Sequence, residues 1–273
     1  MFRIFGPPGT GKTTKLLNLV DKHLEAGVEP TNIAFLAFTR KAAEEARERA
    51  AARFNLDPKQ DLFFFKTLHS LALAMTDIRT DQVMQPEHYR ELGKSIGVNL
   101  GAAADNRFSD IPETQKSSDP ILGLINLAIL RKVPLRTQYN ISQIDESWNV
   151  VKYVDEALTK YKKSYTLYDF TDMLRVFAET GQSCCPRFAV TFLDEAQDLS
   201  PLQWDIAHML DRQSERMYCA GDDDQAIYRW AGADVDQFIG LEGGSETLSQ
   251  SYRVPQLPWE IAQNVARRIH RRF

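Results

Sequence analysis

Gly6-Pro7-Pro8-Gly9-Thr10-Gly11-Lys12-Thr13 decides the fold: it fits the pattern G-x-x-x-x-G-K-[ST] and stands between suitable neighbours. Phe2-Arg3-Ile4-Phe5 before it reads as a short strand, and Thr13 to Ala26 after it reads as a helix. Strand, Gly-rich loop and helix in that order make a phosphate cradle. Glycines let the backbone curl until its N–H groups converge on an anion. The helix N-terminus adds partial positive charge. In such a loop Lys12 faces the β- and γ-phosphates of a nucleotide, the Thr13 hydroxyl reaches Mg²⁺, and Thr14 continues the helix start. The bland alternative is a Gly/Pro turn ahead of a helix.

Working outward, Ile33-Ala34-Phe35-Leu36-Ala37-Phe38 is a continuous apolar run, as in a strand buried on both faces. Thr39 can cap the next helix, Arg40 to Phe54, rich in Ala, Glu and Arg. A third run, Leu62 to Phe65, reads as a strand leading into Thr67-Leu68-His69-Ser70 and a short helix to Met75. Strands alternating with helices predict an α/β fold with a parallel sheet.

From about Asp77 to Tyr165 no convincing buried strand occurs. Gly97 to Ser118 reads as loop. Pro86 to Ile96 and Pro120 to Leu130 are helix candidates. Ile141, Ile144, Trp148, Val151, Val154, Leu158 and Tyr161 recur at three- and four-residue spacing and predict one amphipathic helix. The stretch reads as an inserted helical subdomain or as extra helices on the same core. Lys160, Lys162 and Lys163 form either a phosphate-contacting cluster or, more ordinarily, a solvated helix end. The sheet pattern then resumes. Tyr168 to Glu179 reads as a helix, Phe188 to Leu193 and Met217 to Ala220 as strands, and Glu246 to Leu248 as a short strand. A final helix is predicted from Pro255 to about Arg271.

Bulk properties narrow the class. The 273 residues carry a formal charge of −4, with 43% hydrophobic and 26% charged residues. That composition is ordinary for a globular protein, so any nucleic-acid contact must come from a local groove. No apolar run approaches the ~18 residues of a membrane-spanning helix. Three cysteines, two of them the adjacent Cys184 and Cys185, give no disulfide framework and fit a cytoplasmic location. The five histidines are scattered and show no zinc spacing.

Asp194-Glu195 follows an apolar strand, whose end lies beside the phosphate loop at the carboxyl edge of such a sheet. Asp194 there can hold Mg²⁺ through its water shell, and Glu195 can orient and polarise an attacking water. The alternative is a pair of capping acids before the helix at Pro201. Gly221-Asp222-Asp223-Asp224-Gln225 also follows a strand, and Gln225 can sense a γ-phosphate through one hydrogen bond or be a plain surface residue. Tyr228, Arg229 and Trp230 form an aromatic and basic patch that can stack on unpaired bases. Taken alone, Trp230 reads as core more readily than as platform.

Six segments occur in a fixed order: Gly6–Thr13, Phe38-Thr39-Arg40-Lys41-Ala42-Ala43, Thr67-Leu68-His69-Ser70, Leu193-Asp194-Glu195-Ala196-Gln197-Asp198, Gly221 to Trp230, and Leu248-Ser249-Gln250-Ser251-Tyr252-Arg253. The chain thereby resembles superfamily-one DNA helicases of the UvrD/Rep type. The resemblance implies a RecA-like ATP-binding domain at 1–76 and 166–245, an inserted helical subdomain at 77–165, and the start of a second RecA-like domain at 246–273. It implies that ATP and Mg²⁺ are the cofactors. Gly6, Pro7, Pro8, Gly9, Thr10, Gly11, Lys12, Thr13, Thr14, Arg40, Tyr252 and Arg253 then surround the nucleotide. Thr13 and Asp194 hold the metal, and Lys12, Glu195, Gln225 and Arg253 act in hydrolysis. Tyr252 matches the residue that stacks on adenine. Phe38, Thr39, Thr67, His69 and Trp230 match positions lining the single-stranded DNA track. Movement is expected 3′ to 5′, with unwinding at junctions of single- and double-stranded DNA.

Two departures stand out. Arg40 occupies a place where the family often has Asn, and no Gln among Met1–Phe5 matches the family's adenine-reading residue. The family's second RecA-like domain, with its own arginine for the γ-phosphate, is expected to follow, so the chain resembles the front half of a helicase: a truncated piece, one half of a split protein whose other half is a separate chain, or a degenerate remnant. The residues leave two readings open: an ATP-driven motor, or an ATP- and single-strand-binding module without motor activity of its own.

Overall fold

A computed structural model describes residues 1–100 and 119–266. The predicted loop over 101–118 and the continuation of the last helix beyond 266 lie outside the described residues. The strands are β1 (Phe2–Phe5), β2 (Ile33–Ala37), β3 (Phe65–Thr67), β4 (Phe188–Leu193), β5 (Ser214–Gly221) and β6 (Ser245–Thr247). The helices are α1 (Lys12–Glu25), α2 (Arg40–Phe54), α3 (Leu68–Met75), α4 (Pro86–Ile96), α5 (Pro120–Leu130) and α6 (Leu135–Ile141). After them come α7 (Trp148–Tyr165), α8 (Phe170–Cys184), α9 (Pro201–Arg212), α10 (Val235–Gly240) and α11 (Gln256–Ala266). Two compact units emerge. One comprises the described residues of Met1–Leu68, Pro186–Leu199 and Ala207–Phe273, and the other those of His69–Cys185 and Ser200–Ile206. The divisions expected from the sequence fall at 76/77 and 165/166.

The first unit is built on a six-stranded sheet in the order β3-β2-β4-β5-β1-β6. Every pairing is parallel, as the alternation of apolar runs and helices predicts. β2 is buried at all five positions, which is why its sequence is unbroken apolar rather than alternating. Phe35 and Phe192 are fully buried and tilt against each other at 6.2 Å. Leu16, Leu17 and Val20 of α1 pack into the same core. Burial of each such side chain contributes about 1.5–3 kcal/mol. Register places Phe5 beside Gly221 and Leu36 beside Leu193, so β1, β2, β4 and β5 all end at one edge. The residues after those ends (Gly6, Phe38, Asp194 and Asp222) therefore gather there. β6 pairs with β1 through Arg3 and Ser245, as an edge strand of this same sheet.

In the second unit, Val151, Val154 and Leu158 of α7 pack with Leu92 of α4 and with Ile121, Leu122 and Ile125 of α5. The bounds predicted for α4 and α5 match those observed. Asp119 caps α5 by accepting from the N–H groups of Ile121 and Leu122.

Four local expectations are corrected. Leu62–Phe64 form a turn, and the third strand begins only at Phe65. The predicted single helix over Ile141–Tyr161 is two, α6 and α7, because Ser147 starts a new helix by accepting from Val150 N–H. α8 starts at Phe170, fixed by a reciprocal cap between Asp169 and Asp172, and runs to Cys184. Lys162 belongs to neither a phosphate cluster nor a solvated end. It is largely buried, with Nζ 2.8 Å from Asp169 and 2.6 Å from Asp172.

Candidate functional site

The loop after β1 has the backbone that its glycines predict. Gly9 (φ 73°) and Gly11 (φ 84°) sit in the left-handed region, which side-chain-bearing residues avoid. At Gly9 a Cβ would collide with that of Arg253, so glycine is needed for close approach as well. The Thr10 hydroxyl closes the loop by donating to Pro7 O at 2.8 Å. Lys12 is buried, and its Nζ donates to Gly6 O at 2.7 Å, across the mouth of the loop. Thr14 is exposed one position beyond Thr13.

Thr13 and Asp194 meet: the Thr13 hydroxyl donates to Asp194 Oδ2 at 2.7 Å, although 181 residues separate them. Asp194 is held at the end of β4 by its N–H bond to Leu36 O. Burial raises its carboxyl to about 6, and the neighbouring Glu195 pushes the same way. The Thr13 bond and the Lys12 charge oppose that shift. A hydroxyl and a buried carboxylate side by side are hard oxygen donors that suit Mg²⁺. Among the described residues no group of three His, Cys, Asp or Glu side chains is arranged to hold a metal. That donor set fits a cation shared between a few protein oxygens, phosphate and water.

Glu195 has φ 54° and ψ 44°, a conformation seldom adopted by a residue with a side chain. Its N–H donates to Asp194 Oδ1 at 3.0 Å, and its carboxylate accepts from Gln197 Nε2 at 3.0 Å. Gln197 also donates to Asp198 Oδ2 at 3.1 Å and accepts from Asp222 N–H at 3.0 Å. Asp222 in turn accepts from Gln225 Nε2. Burial is the main reason that the carboxyls of Asp198 and Asp222 are raised, Asp198 to about 7 with a further push from Glu195. Sequence reasoning alone does not single out Gln197, Asp198 and Asp222, although they lie inside two of the six segments. The left-handed turn at Glu195 folds Gln197 and Asp198 back into the site, and the end of β5 delivers Asp222 to it.

The segment after β6 reaches the loop from the other side. Tyr252 N–H donates to Gly9 O at 2.8 Å, and the Ser251 hydroxyl donates to Pro8 O at 2.9 Å. Tyr252 is 76% exposed. Arg253 lies against Gly9 through its own Cβ and N. Arg40 opens α2, exposed, three residues past the end of β2. A cavity of about 420 Å³ runs from Gly6 and Pro7 past Asp222 to Leu248 and Trp259.

Three rings form a row at the same sheet edge. Phe38 lies 5.9 Å from Tyr228, and Tyr228 lies 6.5 Å from Trp230. Trp230 is 65% exposed, which decides between core and platform in favour of an exposed face. Thr39 caps α2 by accepting from Ala42 N–H, and Thr67 is buried at the end of β3. His69 falls in the second unit, where its ring stands edge-on to Phe170 at 6.2 Å.

The sequence profile of the family described as UvrD/REP helicase N-terminal domain matches residues 2–243. ATP-dependent DNA helicase PcrA of Leuconostoc citreum is 27% identical, over 93% of this chain and 35% of its own length. PcrA of Bacillus subtilis is 26% identical, over 90% of this chain and 34% of its own length. ATP-dependent DNA helicase Rep of Buchnera aphidicola is 26% identical, over 88% and 38%. The chain spans about a third of the length of these relatives. It belongs to the UvrD/REP helicase N-terminal domain family.

Proposed function

We propose that this family member binds ATP with Mg²⁺ in the Gly6–Thr13 cradle and hydrolyses it to drive 3′-to-5′ movement on single-stranded DNA. The observation that carries the reading is the meeting of Thr13 with Asp194 at 2.7 Å, one residue from Glu195 and beside Lys12. It supports a single centre where phosphate, metal and base are neighbours. In this reading Lys12 leaves Gly6 O for the β- and γ-phosphates, and the N–H groups around Gly9 and Gly11 bind phosphate oxygens. Mg²⁺, when bound by Thr13 and Asp194, neutralises charge on the phosphates. Glu195 takes a proton from the attacking water, Gln225 senses the γ-phosphate, and Tyr252 stacks on the base. Phe38 and Trp230, with Tyr228 between them, offer aromatic faces to unpaired nucleotides. His69, Thr39 and Thr67 belong to the same track by resemblance alone.

Titration with Mg·AMP-PNP tests the cradle. One nucleotide per chain, lost in Lys12→Ala, is the expected result, and unchanged affinity in that variant refutes it. A second reading is an ATP- and single-strand-binding module that works only with further domains. It is favoured by the family match, which is to a helicase N-terminal domain over residues 2–243. Partner arginines commonly supply orders of magnitude in phosphoryl transfer. Adding single-stranded DNA to an ATPase assay separates the two readings.

A further inference from the structure

We propose that Gln197 is a positioning residue that couples the γ-phosphate sensor Gln225 to the base Glu195; the inference rests on the nucleotide-hydrolysis reading above. Gln197 is 2% exposed and stands between the ends of β4 and β5. Its Nε2 donates to Glu195 Oε2 at 3.0 Å and to Asp198 Oδ2 at 3.1 Å, while its Oε1 accepts from Asp222 N–H at 3.0 Å. That amide can be oriented only one way. Reversed, it would set an oxygen against two carboxylates and an NH₂ against a backbone N–H. Both amide hydrogens are therefore committed, and the side chain has no freedom to turn.

The chain of bonds continues beyond it. Asp222 accepts from Gln225 Nε2 and, at 3.1 Å, from Asp224 N–H. Glu195, Gln197, Asp222 and Gln225 thus form one connected path from base to sensor. The path is packed tight at its middle. A Cβ on Gly221 would lie 2.7 Å from Gln197 Oε1 and 2.7 Å from the Phe238 ring, so glycine there admits the amide. At one end the Glu195 backbone is held in the left-handed region, a conformation that persists only when its surroundings over-determine it. Engagement of Gln225 by a γ-phosphate draws its amide from Asp222, and the Asp222 N–H shifts with its turn. Gln197 passes that shift to the Glu195 carboxylate, so the base is set when a triphosphate is present and less firmly set with a diphosphate.

The test is a double-mutant cycle repeated in two backgrounds. Affinities for Mg·AMP-PNP and for Mg·ADP are measured for Glu195→Ala, Gln225→Ala and the double variant, first with Gln197 and then with Gln197→Met. With Gln197 present the two substitutions are non-additive for Mg·AMP-PNP, by about fivefold, and additive for Mg·ADP. In Gln197→Met the non-additivity disappears while Mg·ADP affinity is kept. If Gln197→Met fails to fold, Gln197→Ala replaces it, since it removes the bonds to both Glu195 and Asp222 without adding bulk or charge. Additivity with Gln197 present, or equal non-additivity in both backgrounds, overturns the coupling role. Absence of Mg·AMP-PNP binding by the unmodified chain refutes the nucleotide reading itself, and the inference with it.

Discussion

Asp198→Asn is predicted to stabilise the protein at pH 8 and to leave it little changed at pH 4. Asp198 is 8% exposed, with Oδ2 bonded to Gln197 and Oδ1 without a hydrogen-bond partner among the described residues. Burial, and then the nearby Glu195, raise its carboxyl from 3.8 to about 7. A carboxyl raised on folding binds its proton more tightly in the folded state. Its contribution is therefore full below the unfolded value of 3.8 and is lost as pH rises through about 7. A shift of this size corresponds to about 4 kcal/mol at most, from 1.36 kcal/mol per unit. Effective dielectric constants inside proteins exceed the dry value, so about 2 kcal/mol is the better expectation. Asparagine keeps the oxygen that accepts from Gln197 and removes the titration. Thermal melts without nucleotide or Mg²⁺ at pH 4, 6 and 8 read the effect. The advantage of Asp198→Asn should grow across that window to roughly 4–8 °C. Asp194 and Asp222 still titrate in both proteins, so only the difference between the two curves counts. An Asn variant whose midpoint follows the wild type in parallel at all three pH values would refute the argument.

Gly221→Ala should destabilise the fold by about 1–3 kcal/mol, because its Cβ has no room beside Gln197 and Phe238; denaturant melts check this. Lys162→Met should cost about 3–5 kcal/mol by leaving Asp169 buried without its cation and Asp172 with Arg175 alone, and a melt equal to wild type would return Lys162 to the surface. Trp230→Ala should weaken oligo(dT) binding by about 1–3 kcal/mol, measured by fluorescence anisotropy, with nucleotide affinity and melting point unchanged because the ring is mostly exposed.

The sheet was legible because each strand carries its own signal. Ile33–Ala37 and Phe188–Leu193 are unbroken apolar runs, and the Gly-rich loop fixes the turn and the helix after β1. Leu62–Phe64 misled because an apolar run alone does not distinguish a strand from a buried turn; Leu62 is buried without being in the sheet. Ile141 and Ile144 kept the helical spacing across a break that only the cap at Ser147 reveals. Lys162 was misread because its partners, Asp169 and Asp172, come after the helix has ended and the chain has turned. In the candidate site, motif and strand position point to Lys12, Thr13, Asp194 and Gln225, of which Thr13 meets Asp194 and Gln225 meets Asp222. Gln197 and Asp198 needed the backbone at Glu195, since a left-handed glutamate has no sequence signature, and Asp222 needed its bonds to Gln197 and Gln225. The row from Phe38 through Tyr228 to Trp230 joins segments about 190 residues apart, and parallel strand order alone brings them together.

The most direct test of the central claim is the rate of ATP hydrolysis by this chain with Mg²⁺, with and without single-stranded DNA, in wild type and in Glu195→Gln. The account predicts turnover that DNA raises and that Glu195→Gln removes. Nucleotide and DNA binding without turnover would contradict the motor claim for this chain and leave the binding module standing; turnover indifferent to Glu195→Gln would contradict the assignment of the base.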